Sequence, residues 1–245
     1  QRYIFIMAVF SLVVIAGLAF QRYRLSRRTN QQLNEMNLKL HEMSLTDSLT
    51  GLHNRRYFQL RIDQDMAYIR RKNHTDTGYL GFFIADIDFF KKVNDVEGHI
   101  FGDEVLKEFS KRLKLTIRDS DTLVRWGGEE FLFMTQDTNL FGAGQLAQRI
   151  LDIIRSNPFE IDGKLISLTC SVGYCLFPFA GPESDGCGWE GSISIADFAL
   201  YEAKRRGRNL AVLAVPQQTD LPAQQIKDAL NDLSSAVANG TIILK

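Results

Sequence analysis

Two consecutive carboxylates follow a pair of glycines in the middle of the chain, within residues 125–131. Short apolar, strand-like runs flank this heptapeptide on both sides. Because glycine permits backbone geometries that side chains block, Gly127 and Gly128 predict a β-hairpin tip whose main chain a ligand can approach. A bare turn that ends in Glu129 and Glu130 suits a phosphate-bearing substrate held with a divalent cation. An ordinary hairpin with solvated glutamates is the simpler interpretation of the heptapeptide alone.

A second acidic segment, residues 86–95, predicts further groups of the same site. The Asp86 carboxylate, the Ile87 carbonyl and the Glu129 carboxylate are hard oxygen ligands, which suit magnesium and not zinc. Two such ions could clamp a triphosphate, polarise its α-phosphate and lower the pKa of an attacking hydroxyl. Taken singly, an aspartate at the end of a strand is also a common turn or capping residue.

Cationic and amide side chains predict the contacts to the rest of a nucleotide. Lys91, Lys204 and Arg208 are candidates for phosphate contacts, and the last two are expected to share a helix face as an i,i+4 pair. Solvated surface charges are the alternative for each of them. Asn94 and Asp103 offer a carbonyl and a carboxylate, which fit the N1–H and N2 donors of guanine better than adenine.

Composition limits the class of protein. The chain has 245 residues, 45% of them apolar, so it can bury a full domain core. The formal net charge is +0, but residues 1–34 hold five arginines and no acid, so the remainder is net acidic. That distribution gives no nucleic-acid footprint. The three cysteines are odd in number and lack metal-type spacing, which indicates core or loop thiols in a reducing compartment.

The chain begins with a candidate membrane anchor. Residues 4–20 are apolar apart from Ser11 and Gly17, and at about 1.5 Å per residue they span roughly 26 Å, near the thickness of a bilayer core. We therefore expect a transmembrane helix within residues 1–22, at the end of a truncated membrane region because the chain starts with Gln1. A cleaved signal peptide fits less well, since the positive charge follows the apolar run. The arginines that follow place this end in the cytoplasm by the positive-inside rule; they are Arg22, Arg24, Arg27 and Arg28.

Residues 23–46 are predicted to form a cytoplasmic signalling helix. Leu33, Met36, Leu40 and Met43 recur at alternating spacings of three and four. This a/d pattern predicts a short coiled coil that pairs two copies of the chain, and a single amphipathic helix lying on the next domain is the alternative.

The rest of the sequence interleaves strand-like and helix-like segments. Residues 79–87 form a nearly continuous apolar run, which predicts a central strand buried on both faces. Other strands are predicted around the hairpin and over 165–177 and 211–215, and helices up to about residue 71 and over 89–96, 102–117, 145–155 and 192–206. This order predicts one α/β or α+β domain at residues 47–215, closed by its last strand and followed by a polar tail at 216–245.

Five motifs occur in order between residues 44 and 213, namely 47–56, 86–95, 98–103, 125–131 and 196–209. With this combination the chain resembles the GGDEF family of bacterial diguanylate cyclases, in the variant Gly-Gly-Glu-Glu-Phe. The resemblance implies a palm-like α/β fold of the nucleotidyl cyclase type, with helices packed on a sheet that contains antiparallel strands. It implies that two GTP molecules are condensed into cyclic di-GMP with release of pyrophosphate. Together with the predicted membrane span and the arginines that follow it, this bacterial resemblance leads us to expect a location at the inner membrane, with the catalytic domain in the cytoplasm.

The resemblance assigns a role to each matching residue. Asp86, the Ile87 carbonyl and Glu129 would bind magnesium, two ions in each active half-site, with manganese as an alternative ion. Glu129 would take the proton of the 3′-hydroxyl, directly or through water. The catalytic set is Glu129, Glu130 and Lys91, and the substrate-binding set is Asn94, Asp103, Gly127, Gly128, Lys204 and Arg208.

The resemblance also implies regulation and assembly. Arg118 and Asp121 match the family's inhibitory site for the product, although two such residues near a helix end are also a common surface pair. Because each domain would hold one GTP, catalysis would require a homodimer. The alternative function is a catalytically silent module that binds GTP or cyclic di-GMP, which the presence of Asp86, Glu129 and Glu130 disfavours. A cyclase that uses ATP is disfavoured by the guanine-type pair.

Overall fold

The computed structural model describes residues 45–72, 78–179, 188–218 and 221–245, together with scattered residues of the first 44. The chain divides into two units, Gln1–Ser44 and Leu45–Lys245. Nearly all of the predicted membrane span lies outside the described residues, as do Leu33, Leu40 and Met43 of the predicted coiled coil. Within the part that is described, no helix has the length and apolar character needed to cross a membrane.

The second unit alternates strands and helices along the chain. The strands are β1 (His53–Asn54), β2 (Tyr79–Ile87), β3 (Thr122–Gly127), β4 (Glu130–Thr138), β5 (Phe159–Ile161), β6 (Lys164–Ile166), β7 (Cys170–Phe177), β8 (Ala211–Pro216) and β9 (Ile242–Leu244). The helices are α1 (Arg55–Lys72), α2 (Phe90–Glu97), α3 (His99–Lys114), α4 (Leu140–Arg155), α5 (Gly188–Arg205), α6 (Ala223–Asn231) and α7 (Leu233–Ala238). The expected α/β organisation is therefore confirmed.

Seven strands form the main sheet in the order β1-β3-β4-β2-β7-β8-β9, and β5 pairs with β6 in a separate ribbon. The strand β2 lies in the middle between two antiparallel neighbours, β4 and β7. All of its residues after Tyr79 are buried, which confirms the predicted central strand. Its carboxyl end, where Asp86 lies, is therefore held from both sides.

Side chains of β2 alternate between two helical layers, as the two-residue period of a strand requires. Phe82 and Ile84 pack with α1, α5, α6 and α7, whereas Phe83 and Ala85 pack with α2, α3 and α4. Cys170 and Cys175 are buried free thiols. The site at the end of β2 thus rests on a strand that is packed on both faces.

Helix α5 crosses β7 at very close range. A β-carbon at Gly173 would overlap main-chain atoms of Ala196 and Leu200 and would lie 2.7 Å from the Cα of Leu200. The backbone of α5 and that of β7 cannot shift at this point without moving the whole helix or strand, so only glycine fits at this crossing. The crossing fixes the height of α5 above the sheet.

The end of the chain differs from its sequence interpretation. Residues 211–215 were expected to close the sheet, but β9 pairs with β8 on its outer side. The amides and carbonyls of Leu213 and Lys245 exchange two hydrogen bonds, with N···O distances of 2.9 and 2.8 Å. Ile226 and Ala236, from α6 and α7, are buried in the same core as α5. A strand of three residues has too little pattern to be recognised in a polar sequence.

Candidate active site

The predicted glycine hairpin is confirmed, and its shape is fixed by an arginine. β3 and β4 are antiparallel, with Gly127 opposite Glu130, and Gly128 has a left-handed φ of 27°. The guanidinium of Arg125 donates two hydrogen bonds to the carbonyl of Gly128, at 3.0 Å from Nε and 2.8 Å from Nη2. These bonds hold the residue that immediately precedes Glu129.

The same arginine connects the hairpin to the start of the domain. Its Nη1 lies 3.1 and 3.2 Å from the two carboxylate oxygens of Asp47. Thr50 donates two further hydrogen bonds to Asp47, from its amide at 2.9 Å and its hydroxyl at 2.7 Å. Burial raises the pKa of Asp47, but the hydrogen bonds from Thr50 and Arg125 outweigh burial and hold that pKa below its usual value. The sequence predicts a domain boundary at Asp47 but not its ion pair with Arg125, because the two residues are 78 positions apart in the chain.

Three carboxylates lie close enough to the carboxyl end of β2 for their charges to interact. Asp86 lies opposite Glu130 in the register of β2 and β4, and Glu129 precedes Glu130 at the tip. Burial raises the pKa of all three, and the charge of Asp86 raises those of both glutamates further. Such crowding favours a bound cation, which would relieve the repulsion.

Two cations reach these acids from the segment that ends α5. The ammonium of Lys204 lies 2.9 Å from Oδ2 of Asp86. Arg208 places its guanidinium carbon 4.5 Å from the ring centre of Phe89. The expectation that Lys204 and Arg208 share a helix face is wrong, because α5 ends at Arg205 and Gly207 and Arg208 have positive φ values of 116° and 65°. The turn, and not the helical spacing, brings Arg208 to the site.

Asp88 holds this turn against the sheet. Its side chain is buried and accepts hydrogen bonds from the hydroxyls of Thr169 at 2.6 Å and Ser171 at 2.7 Å, and from the amide of Asn209 at 3.0 Å. All of these donors belong to the protein, so Asp88 is a structural residue. The sequence pattern alone does not distinguish the role of Asp88 from that of Asp86, because both are acids of the same motif and lie two residues apart at the end of β2.

One open cleft of about 510 Å³ collects six residues of the predicted site. It is lined by Asp86, Ile87, Lys91, Glu129, Lys204 and Arg208, and also by Phe89, Phe90, Lys92 and Asp95. Carboxylates occupy one wall beside amines and a guanidinium, which is the pattern that a metal-bound triphosphate requires. The cleft is therefore the candidate active site.

The predicted guanine-reading pair lies at the junction of α2 and α3, outside the lining of this cleft. Asn94 is half-buried in α2 and Asp103 is exposed in α3. The Gly98 amide donates a hydrogen bond of 2.9 Å to the carbonyl of Asn94, which turns the chain from one helix into the next. A β-carbon at Gly102 would overlap the side-chain oxygen of Asn94. The glycine therefore leaves room for Asn94 beside the start of α3.

The predicted inhibitory pair lies in the loop between α3 and β3, beyond the helix end where it was expected. The Arg118 amide donates to the Asp121 carboxylate at 2.9 Å, and the Asp121 amide donates to the Arg118 carbonyl at 3.0 Å. Both side chains line two adjacent cavities of about 360 and 240 Å³. The loop is thus a closed turn beside open space.

The donor set at the cleft fits magnesium. Asp86, Glu129 and the Ile87 carbonyl offer hard oxygens at the cleft wall. Nowhere in the described ranges do three histidine, cysteine or acidic side chains cluster closely enough to hold a metal by themselves. Two carboxylates and a carbonyl leave several positions open, which is how magnesium is bound when phosphates complete its shell.

Known proteins are similar to this chain in sequence and in fold. The family model described as "Diguanylate cyclase, GGDEF domain" matches residues 44–210. "Diguanylate cyclase DgcP" from Pseudomonas aeruginosa is 40% identical over 168 residues, which are 69% of this chain and 24% of that protein. "Response regulator PleD" from Caulobacter vibrioides is 37% identical over 188 residues, 76% of this chain and 39% of that protein. The crystal structure of diguanylate cyclase SiaD with its activator SiaC, from Pseudomonas aeruginosa, has a TM-score of 0.61 at 33% identity, covering 83% of this chain and 76% of SiaD.

These similarities confirm the palm-like α/β fold that the motifs implied. The chain spans less than half the length of either curated relative, so the similarity concerns only a part of each. The family model covers most of the present chain, from just before Asp47 to just after Asn209. The chain therefore belongs to the GGDEF family of diguanylate cyclases.

Proposed function

We propose that this chain is a diguanylate cyclase, which condenses two GTP molecules into cyclic di-GMP and releases two pyrophosphates. The observation that supports it is the convergence of Asp86, Glu129, Lys204 and Arg208 on one cleft in a chain of this family. The carboxylates are placed to hold magnesium, or manganese, and the cations to hold phosphates.

The residues of the cleft divide the work of the reaction. Lys204 and Arg208 supply positive charge for the phosphates, and Lys91 adds a third cation. Glu129 lines the cleft from the tip of the β3–β4 hairpin, where its carboxylate can accept the proton of the 3′-hydroxyl, directly or through water. In each half-reaction the 3′-oxygen bonds to the α-phosphorus of the opposite GTP, the bond to pyrophosphate breaks, and the proton leaves toward Glu129. A metal ion held by Asp86, Ile87 and Glu129 would supply charge neutralisation and a lower pKa of the attacking hydroxyl.

A direct assay tests this function. The purified chain is incubated with magnesium and GTP, or with ATP, and the products are identified by mass spectrometry. Cyclic di-GMP from GTP alone is expected, with Asn94 and Asp103 reading the base. Binding of GTP without any product, at all protein concentrations, would contradict the proposal and favour the catalytically silent module.

We also propose that the protein is anchored in the bacterial inner membrane, with this domain in the cytoplasm and its activity controlled by a signal. The apolar run at residues 4–20 and the arginines after it support this proposal. The chain is expected to sediment with membranes and to resist extraction by salt. Recovery in the soluble fraction would contradict the anchor.

Activity is expected to depend on pairing through residues 23–46, because each domain holds one GTP and the reaction joins two. Tethered partners meet at an effective concentration in about the mM range. We expect Leu33→Lys with Leu40→Lys to lower specific activity at low protein concentration, and higher concentration to restore part of it. Rate measurements across a dilution series, beside sedimentation, check this prediction.

A matched control introduces two lysines with the same spacing and leaves the predicted contact residues unchanged. This control is Asn34→Lys with His41→Lys, at the positions that directly follow Leu33 and Leu40 and lie outside the a/d pattern. This control should behave as the parent does. Equal specific activity of the Leu33 and Leu40 double variant and the parent at every concentration would mean that this helix has no part in assembly.

Product inhibition through Arg118 is a further part of the proposal. Arg118 is exposed and does not line the cleft, so Arg118→Ala should weaken inhibition by cyclic di-GMP without lowering the initial rate. Initial rates are measured with and without added cyclic di-GMP. Arg155→Ala, which removes an exposed arginine of α4, is the control. Equal inhibition of the Arg118 variant and the parent would show that the inhibitory site lies elsewhere.

A further inference from the structure

Two of the cations that line the cleft, Lys204 and Arg208, already have partners inside the protein. Lys204 forms a 2.9 Å ion pair with Asp86, whose side chain is only 5% exposed. Arg208 stacks on the ring of Phe89. Lys204 and Arg208 are thus already held by side chains of the cleft itself.

The ion pair occupies a ligand atom of the proposed metal site. A divalent cation that approaches Asp86 meets an ammonium 2.9 Å from Oδ2, and like charges at such distances repel strongly in a partly buried site. Lys204 must therefore leave Asp86 when a metal ion binds. Its side chain is 31% exposed and lines the open cleft, which gives it space into which to move.

A triphosphate offers the partner that Lys204 would lose. If Lys204 left Asp86 without gaining a new anion, it would lose its ion pair with a carboxylate that is only 5% exposed, and only the attraction of Glu129 and Glu130 would remain. Arrival of phosphate and metal together exchanges one charge pair for two. Either ligand alone must break the existing pair without full compensation.

We propose that Lys204 occupies the position of the metal ion at Asp86 in the nucleotide-free protein, so that divalent cation and triphosphate bind together and not one after the other. This inference rests on the proposed function of the cleft. Lys204 would then have two roles. It would weaken the binding of the metal ion to the nucleotide-free protein, and it would bind phosphate once the nucleotide is present.

The test measures binding of Mn²⁺ by the whole chain in the absence of nucleotide, by electron paramagnetic resonance of the free ion. Lys204→Met should bind Mn²⁺ about tenfold or more tightly than the parent, a difference of about 1.4 kcal/mol. Lys204→Arg keeps the charge and should bind as weakly as the parent. Lys92→Met removes the same charge from the same cleft and should change the affinity by less than about threefold. Circular dichroism confirms folding, and Lys204→Gln replaces the methionine variant if that variant does not fold.

Equal or weaker Mn²⁺ binding by Lys204→Met would overturn the inference. Equal tightening by Lys92→Met would overturn it as well, because general charge would then explain the result. A second Mn²⁺ titration, with a non-hydrolysable GTP analogue present, separates the inference about Lys204 from the proposed function of the cleft. If the parent binds Mn²⁺ in this titration and Glu129→Gln does not, the metal site is supported whatever Lys204 does. If the parent does not bind Mn²⁺ in this titration, both the inference and the proposed function are refuted.

Discussion

Glu129→Gln is expected to lower the rate of cyclic di-GMP formation by about a thousandfold or more while the protein stays folded. The substitution removes one charge at nearly constant volume from the tip of the β3–β4 hairpin. It deletes a ligand of the proposed metal and the acceptor of the 3′-hydroxyl proton. Because burial and the charge of Asp86 already raise the pKa of Glu129, the neutral side chain should not reduce stability.

The measurement combines turnover with thermal unfolding. Glu160→Gln is the matched control, since it removes an exposed carboxylate from β5, outside the residues that line the cleft. Its turnover should equal that of the parent. A Glu129→Gln variant that is folded and retains half of the parental rate would show that Glu129 neither holds the metal nor accepts the proton.

Gly173→Ala is expected to produce the largest loss of stability. The new methyl group would overlap the main chain of Ala196 and Leu200, so α5 would have to lift away from β7. Overpacking of this kind costs about 3 kcal/mol, which corresponds to a fall in Tm of about 6 to 12 °C for a domain of this size. Because α5 positions Lys204 beside Asp86, Gly173→Ala should also lower GTP turnover.

A second glycine provides the comparison for this variant. Gly144 lies in α4, and a β-carbon there would meet only the Tyr174 hydroxyl, at an ordinary 3.7 Å. Gly144→Ala should leave Tm unchanged or raise it, because alanine favours a helix over glycine by about 1 kcal/mol. Calorimetry on both variants decides the matter. Similar Tm values for the two variants would mean that the α5–β7 crossing tolerates a side chain.

Much of the fold could be predicted because its elements carry strong local patterns. The apolar run of β2 and the glycine turn between β3 and β4 have the bounds that their residues indicate. Helix ends were less accurate. α4 begins at Leu140, before the predicted residue 145, because the side chain of Asn139 accepts a hydrogen bond of 2.8 Å from the Gly142 amide. The strands β1 and β9, two and three residues long, exist through pairing with neighbours and have no periodicity to detect.

The residue types in the sequence predict the chemistry of the site well, but they do not predict its geometry equally well. Asp86, Glu129 and Lys204 do meet in one cleft, since acids at a strand end and at a hairpin tip are brought together by the β2–β4 pairing. The pairing of Lys204 with Asp86 could not be foreseen, because it depends on how α5 lies on the sheet. The ion pair between Asp47 and Arg125 could not be predicted for the same reason. Contacts between distant segments are set by the tertiary structure, which local patterns do not record.

The strand at the edge of the sheet determines where this protein can be cut. The family match ends at residue 210, and a fragment that stops there would lack β8 and β9 and leave β7 as an open edge, prone to pairing with another chain. It would also expose the face of α5 that Ile226 and Ala236 cover. A chimeric protein that exchanges this domain should therefore keep α6, α7 and β9 through Leu244, because a junction at the end of the family match would lie inside the core.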